Sequence, residues 1–443
     1  MKYTKGSGMD RENSENRIIF HVDVNSAFLS WSAVKRLKED PKALDLRTVP
    51  SAVGGDVATR HGVITARSIP AKKYGVTTGE PVAQALKKCP DLILVPSDFD
   101  TYRAYSHRFM DILRSYSRLV EPASIDEAFV DITEFISETP GIGEVDPADP
   151  VVREASVKVA DMIRDNVRRA LGFTVNVGIS TNKLLSKMAS DFRKPDLTHE
   201  LWPDQVPSKM WPLKIGDLFG CGPKTAAKLE GMGIRTIGDA AAMDPAILRV
   251  LLGESSGEYI HRAANGRGST LVRVEREAAK SYSNETTTAE DITTDNYDAQ
   301  APVIIRKLSD KVSARLKKDS VKGLTVTVTV KTSDFRRHSR QTRLERATDD
   351  DNEIFQSSMK LLRSLMFGED GEQGLYKEQS GIRLLGVGVS SLTQGDEEES
   401  QMTLEDLAKA REQAALRADP EMDRLLDMIN GKFGSGTIRR GGR

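Results

Sequence analysis

Apolar residues recur along the first part of the chain with two different spacings. The uninterrupted apolar run at 18–22 predicts a buried strand, and the helical spacing at 26–37 predicts a helix after it. The same patterns predict helices at 81–88, 102–116 and 151–171, and strands at 52–53, 63–64, 119–132 and 173–179. Strands that alternate with helices in this way indicate an α/β unit.

The second half of the chain changes pattern twice. From 182 to about 265 the spacing is helical, with short connections. A linker is expected at 273–288, followed by a second α/β unit with helices at 303–317 and 354–367 and strands at 324–331 and 382–390. Beyond Leu392 the chain is acidic and polar, which predicts disorder apart from a helix at 422–429.

The composition is that of a globular protein with more than one core. At 443 residues the chain exceeds one ordinary domain of about 100–150 residues, so about two to four domains are expected. No apolar run approaches the roughly 20 residues that cross a membrane, and residues 1–17 are too polar for a secretory signal. Cys89 and Cys221, the two cysteines, lack the spacing of a zinc site and fit a reducing cytoplasm.

The formal net charge of −1 conceals an uneven distribution of charge. Acidic residues concentrate at 349–351 and 396–399, whereas 306–346 is rich in lysine and arginine. One module is therefore expected to carry a basic surface, either for nucleic acid or as an ordinary solvated face. Charge alone leaves both interpretations open.

Three carboxylates are the strongest candidates for chemistry. Asp23 directly follows the first strand, and Asp126 and Glu127 are neighbours that would point to opposite faces of a regular strand. They can share a metal site only if the chain bends there, as at a hairpin tip. The alternative is a helix capping box from Ser124 to Glu127, although the β-branched and aromatic residues that follow favour a strand. The spacing does not decide between them.

Three such carboxylates would suit a phosphate displacement assisted by two hard cations.

The order of several motifs resembles the Y-family (translesion) DNA polymerases, and within them the DNA polymerase IV branch. The segments that carry the resemblance are His21–Phe28, His61–Val76, Ser124–Asp131, Val177–Ser180 with Asn182, Lys183, Lys187 and Lys194–Pro195, and Lys280–Thr287. They follow one another in the family's order, so the resemblance covers most of the chain from about 18 to 392.

The resemblance implies an α+β multidomain protein with the right-hand polymerase architecture. The expected parts are a palm (1–47 and 96–188), small fingers (48–95), an all-helical thumb with a helix-hairpin-helix (189–272), a linker (273–288), an α/β little finger (289–393) and an acidic, partly disordered tail (394–443). It implies template-directed synthesis of low fidelity, in which a primer 3′-OH attacks a dNTP and pyrophosphate leaves. It also implies a monomeric catalytic unit in the cytoplasm.

Roles in the active site are likewise carried over by resemblance. Two Mg²⁺ ions would be held by Asp23, Asp126, Glu127 and the backbone of Val24, with Glu127 as the catalytic carboxylate beside the two aspartates. Phe28 would be the steric gate against a ribose 2′-OH, and Ser68, Lys72 and Lys194 would contact the nucleotide triphosphate. The chain departs from the family where Ile69 and Lys72 replace Tyr and Arg, and where Asn25 and Ala27 replace an acidic and an aromatic residue. Nucleotide affinity and selectivity are the properties these departures put in question.

DNA contacts are expected from two further segments. Gly220, Gly222, Lys224 and Thr225 lie in a stretch that resembles a helix-hairpin-helix, although an ordinary αα-corner would have the same pattern. Arg336, Arg337 and Arg340 would contact the duplex backbone, which carries no sequence information. In the tail, Gln401, Met402 and Leu404 resemble a degenerate sliding-clamp peptide, with Glu405 where an aromatic residue is usual.

Two other functions fit parts of the same pattern. One is a non-catalytic DNA-binding relative whose fingers substitutions have ended dNTP use. The other is a metal-dependent nuclease or nucleotide cyclase on a similar palm. The three carboxylates count against the first, and the basic C-terminal module counts against a cyclase.

Overall fold

The computed structural model describes residues 16–55, 62–275, 277–368, 373–378 and 381–394. The chain forms two compact units, 1–278 and 279–443.

The first unit contains eight strands and eleven α-helices among its described residues. The strands are β1 (Ile19–Val24), β2 (Ser51–Gly54), β3 (Ile64–Arg67), β4 (Ile93–Val95), β5 (Val120–Pro122), β6 (Glu127–Asp131), β7 (Val175–Ser180) and β8 (Thr198–Glu200). The helices are α1 (Ala27–Glu39), α2 (Ile69–Lys73), α3 (Val82–Lys88), α4 (Phe99–Arg114), α5 (Thr133–Ser137), α6 (Pro150–Leu171), α7 (Lys183–Asp191), α8 (Pro223–Glu230), α9 (Ile237–Ala242), α10 (Pro245–Leu252) and α11 (Glu254–Ala264). Short helical turns lie at Pro203–Gln205, Val206–Met210 and Ile215–Asp217.

The second unit is smaller. Its elements are β9 (Ser281–Ile292), α12 (Tyr297–Lys318), β10 (Val321–Thr332), β11 (Arg337–Thr348), α13 (Asp351–Phe367), a 3₁₀ turn at Leu375–Glu378 and β12 (Ile382–Gln394).

A five-stranded sheet in the order β5-β6-β1-β7-β8 forms the centre of the first unit. Strand β1 pairs antiparallel with both β6 and β7, and its residues alternate between two environments. Phe20 and Val22 enter the main core with Trp31, Tyr102 and aliphatic residues of α6. Because successive side chains of a strand point to opposite faces, His21 and Asp23 lie on the other face, which α7 contacts.

Helix α7 can approach this face because residue 178 is a glycine. A Cβ atom built on Gly178 would lie 2.0 Å from the Ser186 carbonyl oxygen and 2.4 Å from the Ser190 nitrogen. Gly178 is also the cross-strand partner of His21. The missing side chain therefore lets α7 lie directly over the strands that carry His21 and Asp23.

The segment predicted to form the fingers has its own three-stranded sheet, in the order β3-β2-β4. A small apolar core formed mainly by Ala52, Ile64, Ala71, Val76 and Val82 stabilises it. The helices from α7 to α11 share another core, which includes Leu185, Met210, Ile215, Leu229 and Ile260.

The second unit is an antiparallel sheet in the order β11-β10-β12-β9, with α12 and α13 packed on one face. Val326, Val328 and Val330 are fully buried, and the threonines between them lie on the opposite face. The predicted alternation of this strand is therefore confirmed.

Several predicted boundaries are wrong. Residues from Ser281 onward belong to β9, so the linker predicted at 273–288 ends earlier, and the unit boundary lies at 278/279. Strand β8 lies inside the region predicted to be all-helical, and it extends the central sheet beyond residue 188. Strand β9 was missed because it lies at a sheet edge, where few of its residues are buried. The predicted helix at 422–429 and the disordered tail lie outside the described residues, except for 394.

None of the described helices is long and apolar enough to span a bilayer.

Replacing Gly178 by alanine should destabilise the first unit. The new methyl group would meet backbone atoms of α7, which cannot move aside as a flexible side chain can. We expect a loss of roughly 1–3 kcal/mol or more in the free energy of unfolding, measured by denaturant titration. Gly143→Ala is the matched control, because nothing lies within 4 Å of its Cβ position. Equal stability of the two variants would contradict this account of the packing.

Candidate active site

The chain bends at 123–126, where β5 turns into β6. The backbone nitrogens of Ala123 and Ser124 both donate to the carbonyl oxygen of Glu127, at 3.0 and 3.2 Å. The Val24 nitrogen donates to the Asp126 carbonyl oxygen at 3.0 Å, which ties this turn to the end of β1. Glu127 begins a strand, so the capping-box interpretation is wrong and the predicted hairpin bend is confirmed.

This bend brings the predicted carboxylates together. Asp23 and Glu127 are direct cross-strand partners. One ligand atom of each and one of His21 all lie within 4.8 Å of one another. Asp126 lines the same cavity as Asp23, and Ser124 Oγ donates to its Oδ1 at 2.6 Å. Residues more than 100 positions apart in the chain thus meet at one edge of the sheet.

Two lysines neutralise this acidic cluster. Lys187 Nζ lies 2.8 Å from Glu127 Oε2 and 3.5 Å from Asp23 Oδ2. Lys194 Nζ lies 2.6 Å from Asp23 Oδ2 and 2.8 Å from Asp191 Oδ1. Burial opposes the charged form of both lysines, but the carboxylates outweigh it and raise the pKa of each.

The carboxylates themselves have different electrostatic environments. Burial raises the pKa of Asp126, and the negative charges of Asp23 and Glu127 raise it further. The hydrogen bond from Ser124 lowers this pKa, but it does not cancel the increase. The interaction with His21 is the main reason that the pKa of Glu127 is lowered to about 2. Burial acts in the opposite direction, and Lys187 lowers the pKa further. Burial lowers the pKa of His21. Asp126 is therefore a buried carboxylate whose negative charge a bound cation would stabilise.

The donor set fits hard divalent cations. Asp23 lies close to Glu127 and shares the cavity with Asp126 and Val24, and oxygen is the ligand atom that Mg²⁺ prefers. His21 adds one nitrogen to the cluster, which was not foreseen from the sequence. Its position two residues before Asp23 on a strand was the available signal, because residues i and i+2 share a face.

A cavity of about 410 Å³ opens beside the carboxylates. Its lining includes the predicted residues Asp23, Asp126, Phe28, Ser68, Lys72 and Lys194, together with Thr65, Arg67 and Ile69 of the fingers segment. The Phe28 ring stacks on Tyr102 with centroids 4.6 Å apart, so its orientation is held by the core. The predicted gate and phosphate contacts therefore share one cavity with Asp23 and Asp126.

The hydroxyl of Ser68, a predicted triphosphate contact, already makes hydrogen bonds within the fingers segment. It caps α2 by accepting from the Ala71 nitrogen at 3.0 Å, and it also accepts from the Ser51 nitrogen. The hydroxyl hydrogen is donated to the Val49 carbonyl at 2.8 Å. Because its one donor hydrogen is already used, the side chain cannot also donate to a phosphate. We therefore assign Ser68 to the fold of the fingers segment.

A buried pair of asparagines links β1 to the loop that carries Lys194. Asn25 Nδ2 donates to Asn176 Oδ1 at 3.1 Å, and Asn25 Oδ1 accepts from the Asp196 nitrogen at 2.9 Å. Asn176 Nδ2 donates to the carbonyl of Arg193 at 2.7 Å. The departure at Asn25 is thus a structural contact here, since an amide both donates and accepts where a carboxylate only accepts.

Comparisons with known proteins bear on this arrangement. Residues 22–191 match the model of the impB/mucB/samB family, 279–404 match that family's C-terminal domain, and 203–234 match the IMS family HHH motif. DNA polymerase IV of Clostridium acetobutylicum is 37% identical over 96% of this chain and 98% of its own length. DNA polymerase IV 1 of Bacillus subtilis is 34% identical over 96% of this chain and 93% of its own length.

The chain belongs to the Y family of DNA polymerases. A solved Y-family polymerase chimera of Dbh and Dpo4 has the same fold, with a TM-score of 0.69 and 22% identity over 85% of this chain and all of its own. The right-hand architecture expected from the sequence is thereby confirmed.

In the thumb of this Y-family polymerase, the predicted helix-hairpin-helix begins with a short turn. The segment before the glycines is a single 3₁₀ turn at Ile215–Asp217, and Gly222 is the N-cap of α8. Gly220 has a φ of 86°, and a Cβ there would lie 2.5 Å from the Tyr259 ring. Gly222 and Lys224 are exposed and Thr225 is half-buried, so the start of α8 is open to solvent.

The predicted arginine cluster of the little finger is divided by β11. Arg337 pairs in register with Lys331 on the open face and reaches Glu285 at 2.6 Å. Arg340 pairs with the fully buried Val328, and its guanidinium donates to Ser364 of α13. Arg336 precedes the strand and contacts Asp334. The three arginines therefore do not share one face of the sheet, because alternate residues of a strand point to opposite faces.

This division predicts different effects on DNA binding. Arg337→Gln should weaken the binding of duplex DNA. It should also reduce the magnitude of the slope of log K against log salt concentration by about 1. Arg340→Gln should leave that salt slope unchanged, because its guanidinium lies on the helix side of the sheet. Fluorescence anisotropy at several salt concentrations measures both slopes. A larger change for Arg340→Gln than for Arg337→Gln would contradict the assignment of faces.

Proposed function

We propose that this polymerase performs template-directed synthesis of low fidelity in translesion synthesis and repair. The primer 3′-OH attacks the α-phosphate of a dNTP, and pyrophosphate leaves. The observation that carries the proposal is that Asp23 and Asp126 line a cavity that also contains Lys194 and Phe28, while Glu127 lies opposite Asp23 on the neighbouring strand.

The proposed cofactor is a pair of Mg²⁺ ions. Asp23 and Asp126, with the Val24 carbonyl, are the ligands closest to the cavity, and Glu127 completes the set from the neighbouring strand. Bound ions would supply activation of the attacking hydroxyl and charge stabilisation at the leaving oxygens. The short cross-strand distance between Asp23 and Glu127 supports ligands held in place before substrate arrives.

Lys194 and Lys72 are the proposed contacts to the triphosphate. The ammonium of Lys194 already lies at the cavity, held by Asp23 and Asp191, and its positive charge would offset the charge that develops on pyrophosphate. Lys72 is exposed at the cavity wall on α2. Ile69 lies one turn earlier and cannot donate a hydrogen bond, so this side of the pocket would hold the triphosphate loosely.

The fingers segment supports low fidelity. Its strands have only three or four residues, and its core is formed mainly by small side chains. Such a segment encloses a nascent base pair less tightly than a large helical fingers domain would, and this fits a site that accepts damaged templates.

The proposed partners are primer–template DNA, dNTPs and a sliding clamp. The clamp contact would use Gln401, Met402 and Leu404, which lie outside the described residues. We further propose a monomeric catalytic unit in the cytoplasm. The free thiols of the buried Cys89 and Cys221 support a reducing compartment.

The first test of the proposal is primer extension with Mg²⁺. Asp126→Asn should reduce the rate of extension by roughly 100-fold or more, because it removes a charge that acts in the transition state. Asp100→Asn, at an exposed carboxylate on α4, is the control and should extend like the wild type.

Two results would favour the competing functions. No extension by the wild-type protein would support a non-catalytic DNA-binding relative. Shortening of a labelled primer in place of extension would support a nuclease.

The steric gate is tested by sugar selectivity. Phe28→Ala should raise the ratio of kcat/KM for ribonucleotides over deoxyribonucleotides by about 10- to 100-fold, because the ring limits space in the cavity. Phe99→Ala is the matched control, since this neighbouring ring is exposed and packs against Phe28 without lining the cavity. An unchanged ratio in Phe28→Ala would remove the gate from the proposal.

A further inference from the structure

The loop that carries Lys194 is anchored by the side chain of Asn176, which is fully buried on β7. Asn176 Nδ2 donates to the carbonyl oxygens of Ser190 and Arg193, at 3.1 and 2.7 Å. Its Oδ1 accepts from the Leu197 nitrogen at 3.3 Å. One amide therefore binds the chain both before and after Lys194, and it also holds the last turn of α7.

A second amide, that of Asn25, holds the same loop from the end of β1. Its Nδ2 donates to Asn176 Oδ1 at 3.1 Å. Its Oδ1 accepts from the Asp196 nitrogen and from the Thr174 hydroxyl, both at 2.9 Å. The carboxylate of Asp196 is in turn held from α6, where Arg164 Nη2 lies 3.0 Å from its Oδ1. The loop is thus fixed from β1, β7 and α6.

The partners of the two amides permit only one orientation of each. Asn176 must turn its NH₂ group toward the carbonyls of Ser190 and Arg193, because an amide oxygen there would be repelled. Its Oδ1 therefore faces Asn25, which must present a hydrogen-bond donor in return. A carboxylate at position 25 would set two buried acceptors against each other. The partner on β7 thus explains why an amide stands at position 25 in place of the family's usual acidic residue.

Lys194 connects this network to the cavity. Its Nζ lies 2.6 Å from Asp23 Oδ2, and it also lines the cavity. The backbone on either side of it is bound by the two amides, at Arg193 and at Asp196. A shift of the loop would therefore move the ammonium relative to the cavity. Displacement of a binding group by about 1 Å can cost roughly 100-fold in rate.

We propose that Asn25 and Asn176 are a pair of positioning residues that fix the Lys194 ammonium for the triphosphate. This inference rests on the proposed contact between Lys194 and the triphosphate. Asn25 also borders the cavity, so a direct contact with the substrate is the competing role for its side chain. Asn176 does not line the cavity, and a variant at this position reveals an effect that reaches the triphosphate through the loop.

The test measures dNTP affinity in a complex with a dideoxy-terminated primer, where no turnover occurs. Asn176→Leu keeps the approximate size of the side chain, adds no charge and removes every hydrogen bond to the loop. It should weaken dNTP binding about tenfold, because the ammonium is no longer held at the cavity. The affinity for the primer–template itself, measured by fluorescence anisotropy, should change by less than about twofold, because the loop contact is the part of the site that is lost.

A double-mutant cycle with Lys194 distinguishes positioning from a general structural effect. In a Lys194→Met background, Asn176→Leu should weaken dNTP binding by less than about twofold, because the group on which it acts is gone. Asn25→Ala should show the same dependence on Lys194 if its side chain acts through the loop. An Asn25→Ala loss of equal size in both backgrounds would assign Asn25 to direct substrate contact and overturn its place in the pair.

Asn166→Leu is the matched control, since the amide of this α6 residue contacts Tyr116 and not the loop, and it should bind dNTP like the wild type. Thermal melting identifies an Asn176→Leu protein that does not fold, in which case Asn25→Ala carries the cycle. Unchanged dNTP affinity in Asn176→Leu, or an equal loss in both Lys194 backgrounds, would overturn the positioning role.

Failure of the proposed function gives different results. Unchanged dNTP affinity in Lys194→Met would overturn the triphosphate contact, and the positioning role with it, while primer extension by the wild type would still stand. A wild-type protein that neither binds dNTP nor extends a primer would overturn the polymerase function itself.

Discussion

The antiparallel pairing of β1 with β6 is the constraint on which the candidate active site depends. It places Asp23 opposite Glu127 and, through the bond from the Val24 nitrogen to the Asp126 carbonyl, ties the hairpin turn to the same strand end. A shift of this register by one residue would turn every side chain of β6 to the other face. The apolar residues of β1, β6 and β7 that fill the core prevent such a shift, so the hydrophobic core fixes the position of the charged groups.

Electrostatic repulsion between these charged groups is limited by lysines from α7 and the loop after it. Lys187 and Lys194 each contact Asp23, and Lys187 also contacts Glu127. Asp126 has no ion pair among the described residues, and burial, together with the negative charges of Asp23 and Glu127, raises its pKa. The two aspartates therefore differ in environment although both line the cavity.

Much of the fold could be predicted from the sequence, and the exceptions have identifiable causes. The apolar run before Asp23 and the alternation of Val326, Val328 and Val330 are strong local signals, and both strands formed. Strand β9 lacked such a signal, because few of its side chains are buried. In the active site, the bend at 123–126 was expected from the chemistry of Asp126 and Glu127. His21 contacts Ser190, 169 residues away, and no local pattern reveals that contact. Similarly, Arg337 and Arg340 are three residues apart, a spacing that puts side chains on opposite faces of a strand. This difference can be inferred only after β11 has been recognised as a strand.

Strand β11 is twelve residues long and lies at the edge of the little-finger sheet, with one row of backbone groups unpaired by β10. An edge of this length is a template on which another chain could add a strand and begin to aggregate. Arginines occur along it at every third residue, at 337, 340, 343 and 346. A strand added at this edge would therefore lie beside positive charges, or remove water from them, along most of its length. The arginines of this segment thus disfavour the addition of another strand at this edge, whether or not DNA is present.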